Sequence, residues 1–433
     1  MNTSLMRQFG RVTIVGCALS LAIVPLVAQR RLPREVALQP VQAGAAKRPS
    51  ISTAGKTALS SYLLAAVDRG DVPGIQALIV DREGVLYEGV AGKRDVARGA
   101  EMQRDTLFRI ASMTKPITSV AAMRLIEAGR IDLDDPVAKY LPAFNDRQVL
   151  SKFDTATGAY ETRPPNRPIT IRHLMSHTSG LGYSWSSEIV SRLTKNVRER
   201  EPDVPLLHDP GERWTYSAST RVLGQVIETV SGQPLEVFLR DKILAPLEMT
   251  DTSFAVPAEK VARVATVHSR VDGTLVEEPN APIQAAPVRG DGGLYATAHD
   301  YGNFLQMLLN DGRWHGVAIL NAASVRTMGE NHIGTVVVQE QPAADPTRTR
   351  PFPLGAGHDK FGLGFQIAVR DERGAGHRSP GSLSWAGINN THFWIDRDRR
   401  IAVVLLMQVL PFYDETCIRT LRGFEELVYQ FLN

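Results

Sequence analysis

A serine hydroxyl is a poor nucleophile until a neighbouring base takes its proton. In this chain Ser112 and Lys115 stand three residues apart in the run Ser112-Met113-Thr114-Lys115. On a helix that spacing brings both side chains to one face. The start of a helix also offers free N–H groups and a positive field, which favour an oxyanion and disfavour a protonated lysine. Pro116 is compatible with a place this close to a helix start. By itself, however, the pair is better described as an N-capping serine followed by a solvated lysine.

The elements that must position the pair follow from hydrophobic periodicity. Ile117, Val120, Ala121 and Leu125 predict a helix from near Ser112 to Ala128, with Gly129 just past its end. Upstream, a helix is expected over 58–67 and strands over 74–80 and 85–90, the strands joined by Asp81-Arg82-Glu83-Gly84. The polar, Pro-rich stretch 146–168 reads as a surface loop or small hairpin. Helices are expected over 171–178, 220–230 and 301–309, and 333–360 reads as a long mobile loop. Strands over 391–395 and 401–408 flank a charged turn, and a helix over 416–432 closes the chain. Strands at both ends with helices between predict an α+β fold. Both chain ends would share one antiparallel sheet, and a helical lobe over roughly 106–310 would leave a cleft against it.

The wider context of the pair is specific. It lies within Phe108-Arg109-Ile110-Ala111-Ser112-Met113-Thr114-Lys115-Pro116-Ile117-Thr118. Asp132-Leu133-Asp134-Asp135-Pro136-Val137 and Tyr140-Leu141-Pro142 come next. Further on stand Ile169-Thr170-Ile171-Arg172-His173-Leu174-Met175-Ser176-His177-Thr178-Ser179-Gly180-Leu181 and Pro210-Gly211-Glu212-Arg213-Trp214-Thr215-Tyr216-Ser217. In order and spacing these segments resemble the serine β-lactamase-like superfamily, of the class C β-lactamase and family VIII carboxylesterase type, over roughly 58–433.

The resemblance implies a β-lactamase/transpeptidase-like fold with Ser112 as nucleophile and Lys115 beside it. The second motif of that superfamily, Tyr-x-Asn or a relaxed form, reads here Tyr216-Ser217-Ala218. Tyr216 would be the general base or proton shuttle, its phenol brought down from about 10 by cations such as Lys115. Ala218 cannot hydrogen-bond a substrate amide. In place of the third motif, Lys-Thr-Gly, stands Trp385-Ala386-Gly387, which resembles the Trp-x-Gly form of family VIII esterases. Trp385 carries no charge to pair with a β-lactam carboxylate, so with Gly387 it would line a site for a neutral, apolar group. By the same resemblance, the N–H groups of Ser112 and Ile388 would form an oxyanion hole.

Competing motifs are weak. No G-x-S-x-G is present. His173 and His177 are four apart, but Leu174 stands where a zinc motif has Glu, so both read as structural. No metal or cofactor is expected. With 49 basic and 46 acidic residues, net +3, no nucleic-acid partner is indicated.

At the N-terminus Arg7 and Arg11 precede an apolar run over 12–28. The pattern reads as a secretory signal over 1–28, followed by a linker over 29–57, or alternatively as an uncleaved anchor. The chain would then be exported, periplasmic or secreted, and would meet a membrane only if the segment stayed uncleaved. Cleavage would remove Cys17 and leave Cys417 alone, without an internal disulfide.

The expected function is a serine hydrolase cleaving small-molecule carboxylic esters through an acyl-enzyme on Ser112. A β-lactamase or D,D-peptidase is the second reading. A non-catalytic binding protein on the same scaffold is the third.

Overall fold

The computed structural model describes residues 47–195, 198–279, 288–369 and 377–433. The expected signal over 1–28 lies outside these residues, as does the linker stretch 29–46. Residues 48–433 form one unit. In chain order its framework comprises α1 (Thr53–Asp68), β1 (Gly74–Val80), β2 (Val85–Asp95), β3 (Ala100–Glu101), α2 (Thr114–Glu127), α3 (Ile171–Met175), α4 (Ser219–Ser231) and α5 (Ala298–Leu309). Then come β4 (Lys360–Phe361), β5 (Gln366–Ile367), β6 (Leu383–Gly387), β7 (Thr391–Asp396), β8 (Ile401–Leu406) and α6 (Glu415–Phe431). The eight strands form one antiparallel sheet in the order β4-β5-β6-β7-β8-β1-β2-β3. The N- and C-terminal strands therefore share one sheet, as the sequence pattern implied.

Both faces of the sheet are covered, which is why β1 and β8 are apolar at nearly every position. Side chains alternate across a strand. Leu78, Val80, Ala402, Val404 and Leu406 enter the core shared with α2 and α5. Ile75, Ala77, Ile79, Ile401, Val403 and Leu405 face α1 and α6, meeting Leu59, Leu63, Leu421 and Phe424. The middle of the chain supplies the helical lobe, and the segment 146–168 holds a hairpin of Val149–Phe153 with Tyr160–Arg163.

Two expectations change. Helix α1 starts at Thr53, inside the stretch expected as linker. Ser52 caps it by accepting the Gly55 N–H at 3.1 Å. Ser50 and Asn433 exchange main-chain hydrogen bonds of 3.2 and 3.0 Å, tying this stretch to the last residue of the chain. The small residues that look like linker are cap and packing residues: a Cβ on Gly55 would stand 2.7 Å from Phe431 Cβ. The segment 333–360 has no long regular element, but it is anchored rather than free. Gln341 and Phe352 pair through their main chains, and Val338, Thr349 and Phe352 are buried.

Candidate active site

The strand pair Phe108–Arg109 and Tyr295–Ala296 delivers the chain to a 3₁₀ turn, Ala111–Met113, which runs directly into α2. Ala111 has φ +45°, a strained value for a residue with a Cβ. The turn leaves Ser112 half-buried, while Met113 and Lys115 are fully inside. Helix α2 is buried along most of its length, and Lys115 with it.

Lys115 Nζ donates to Ser112 Oγ at 3.1 Å and to the Asp291 carbonyl at 2.8 Å. It also lies over the rings of Tyr216 (4.7 Å) and Tyr183 (5.4 Å). A buried ammonium is costly. Burial accordingly lowers Lys115 to about 7, with Arg221 and Arg289 adding to the fall and Asp291 opposing it. At neutral pH a large fraction of this lysine is an uncharged amine.

Tyr216 lies just ahead of α4, fully buried in an aromatic cluster. Ring centroids of His177, Trp385, Tyr183 and Phe352 lie 4.8, 4.9, 5.3 and 5.6 Å from its own. Its main-chain N–H donates to Gln341 Oε1 at 3.0 Å, so the irregular segment 333–360 fixes its position. The phenol oxygen accepts from Trp385 Nε1 at 3.4 Å. The expected lowering of this phenol is reversed. Burial raises it, and hydrogen bonds with Ser112 and Trp385 offset that only in part. Tyr216 therefore stays protonated at neutral pH.

Trp385, Gly387 and Ile388 come from the end of β6. Trp385 is mostly enclosed and serves as a hydrogen-bond donor to Tyr216 as well as an apolar wall. Gly387 is required by close approach: a Cβ there would lie 2.4 Å from the Ile110 carbonyl oxygen. That approach sets Ile388, the first residue past the strand, beside the turn that carries Ser112.

A buried charge cluster around Asp291 had no recognisable sequence pattern. Its carboxylate accepts from Tyr183 Oη at 2.6 Å and from Arg221 at 3.0 and 3.3 Å. Arg221 also pairs with Glu201 at 3.4 Å, and Glu201 accepts from the Ser184 N–H and hydroxyl, each at 2.6 Å. Burial opposes ionisation of Asp291, yet Lys115, Arg221 and Tyr183 outweigh it and hold the carboxyl below its ordinary value. The remaining signal was the Gly-rich run Gly290-Asp291-Gly292-Gly293.

His173 belongs to the N-terminal capping box of α3 with Thr170, and His177 packs among the aromatic rings. Among the described residues no group of three or more His, Cys, Asp or Glu could hold a metal ion. Cys417 is buried in α6, and burial pushes its thiol well up, away from nucleophilic use.

The Beta-lactamase family profile matches residues 59–425. Esterase EstB of Burkholderia gladioli is 30% identical over 371 residues, covering 77% of this chain and 85% of its own. Monacolin J acid methylbutanoyltransferase of Aspergillus terreus is 30% identical over 391 residues, covering 84% of this chain and 93% of its own. Among solved structures, EstCE1, described as a hydrolase with promiscuous acyltransferase activity, superposes with a TM-score of 0.70 at 25% identity. That match covers 87% of this chain and 100% of the other.

Proposed function

Because the chain belongs to the Beta-lactamase family of serine hydrolases and acyltransferases, we propose that it cleaves carboxylic esters through an acyl-enzyme on Ser112. The observation that carries the reading is the buried Lys115 amine, 3.1 Å from the Ser112 hydroxyl and lowered to about 7. A base near neutrality matches general-base work at neutral pH.

In this reading Lys115 takes the Ser112 proton as Oγ attacks the ester carbonyl. The oxyanion of the tetrahedral intermediate rests on the main-chain N–H groups of Ser112 and Ile388. Tyr216, kept protonated by burial, donates its proton to the departing alkoxide, and the alcohol leaves. The Lys115 ammonium then returns the proton to the Tyr216 oxygen. Water attacks the acyl-enzyme with the same groups in reversed roles, releasing the acid and restoring Ser112.

The uncharged Trp385 and Ala218 favour a neutral ester over a β-lactam. The named acyltransferases favour a second outcome at the same intermediate, in which an alcohol replaces water.

The test is a parallel assay of a short-chain nitrophenyl ester and a chromogenic cephalosporin, with wild type and Ser112→Ala. The expected result is a higher kcat/KM on the ester, falling more than about 1,000-fold in Ser112→Ala. A higher kcat/KM on the cephalosporin overturns the substrate preference. Unchanged ester hydrolysis in Ser112→Ala overturns the mechanism. Adding a small alcohol and measuring transesterified product reads out the second outcome.

A further inference from the structure

Charged and titratable groups from several elements converge on Lys115. Arg221 comes from α4, and Arg289 and Asp291 precede the strand at Tyr295–Ala296. Glu201 comes from the 3₁₀ stretch Arg198–Asp203. Tyr183 and Tyr216 lie under the amine, and His177 follows α3 with its imidazole kept neutral by burial and by Lys115.

We propose that Arg221, Asp291 and Tyr183 form a positioning cluster in which Asp291 aims the Lys115 amine at Ser112 while Arg221 and Tyr183 limit the pull of the Asp291 charge on its proton, a role that rests on the acyl-enzyme reading above. Asp291 acts through two separate groups. Its main-chain carbonyl accepts from Lys115 Nζ at 2.8 Å and so aims the amine. Its carboxylate is engaged elsewhere, by Arg221 at 3.0 and 3.3 Å and by Tyr183 Oη at 2.6 Å. An unengaged carboxylate this close would draw a proton onto the lysine and turn the base into an ammonium. Asp291 still pulls on the Lys115 proton, and Arg221 beside it offsets part of that pull. Glu201 anchors Arg221 from its far side at 3.4 Å. None of these groups needs to touch substrate. Their effect passes through Lys115, which burial lowers first, Asp291 and Glu201 pull back up, and Arg221 and Arg289 lower further.

The two partners act on Lys115 with opposite sign, and this separates positioning from mere packing. The experiment is the pH profile of kcat/KM on a nitrophenyl ester for Arg221→Gln, Asp291→Asn and the double variant. Arg221→Gln exposes the Asp291 charge and moves the acid limb to higher pH by roughly one unit. Asp291→Asn removes the negative charge nearest Lys115 while Arg221, still paired with Glu201, remains, and moves the limb to lower pH by a similar amount. The double variant returns close to wild type, because the two shifts are opposite in sign and similar in size. Arg221→Lys keeps the charge and leaves the limb near its wild-type position, which covers the case in which Arg221→Gln does not fold.

Melting curves and fluorophosphonate labelling of Ser112 accompany every variant. Limbs that stay in place, or that move in the same direction in both single variants while Ser112 is still labelled, overturn the proposal. Failure of wild-type Ser112 to react with the probe overturns the acyl-enzyme reading itself, a distinct result.

Discussion

At the scale of single residues, the division of labour between Lys115 and Tyr216 is set by burial acting on opposite charge types. Desolvation disfavours whichever form is charged. It therefore lowers the lysine to about 7 and raises the phenol. Two consequences are measurable. First, kcat/KM on esters rises with pH through an acid limb near 7, because protonated Lys115 cannot accept the Ser112 proton. Tyr216→Phe lowers kcat by about 10²–10⁴-fold while leaving that limb in place. A limb that disappears in Tyr216→Phe would assign the titration to the wrong residue. Second, Lys115 costs the fold stability. Its folded value lies below its unfolded value of 10.5, so stability is fully present above 10.5 and is lost as pH falls toward 7. Lys115→Met lacks this dependence. Its urea stability relative to wild type should therefore be more favourable at pH 7 than at pH 10; the reverse order would contradict the lowering. Ser112, Lys115 and Tyr216 were legible because each stands in a local motif. Arg221 and Asp291 were not, since they meet across 70 residues and carry no pattern of their own.

Among elements, the strand end at Gly387 is the most demanding join. β6 must pass so close to Ile110 that no side chain fits between them. Gly387→Val is expected to destabilise the protein by about 1–3 kcal/mol, the usual cost of overpacking. It should lower kcat more than it raises KM, since it displaces the Ile388 N–H. Denaturant unfolding and steady-state kinetics check both, and a variant with wild-type kcat would detach Ile388 from the oxyanion hole. The strands themselves were legible as short apolar runs, and α2 as a periodic one. The anchoring of 333–360 was not. Its Pro and Gly content describes an irregular path, whereas what fixes the path is one buried Phe352 and one Gln341 side chain bonded to the Tyr216 N–H.

For the whole molecule, the sheet joins the two ends of the chain, and α1 packs beside α6 on its outer face. The antiparallel α+β arrangement was readable because only strands at both termini with helices between give that pattern. The start of the first helix was not readable, because caps and helix-packing glycines share the composition of a linker. Ser50 and Ile51 pair with Asn433 and Leu432, and Ser52 caps the first helix. A chain trimmed to begin at residue 58 should therefore melt several degrees below one trimmed to begin at residue 48. Equal melting temperatures would mean that this terminal pairing contributes nothing.

In the proposed function Ser112 carries the acyl group during turnover. The direct measurement is peptide-mapped mass spectrometry of the protein quenched during hydrolysis of a short-chain nitrophenyl ester, using the slowed Tyr216→Phe variant to accumulate the intermediate. A mass increase equal to the acyl group is expected on the peptide containing Ser112, absent in Ser112→Ala. Rapid hydrolysis with no acyl adduct on Ser112, or with the adduct on another residue, would contradict it.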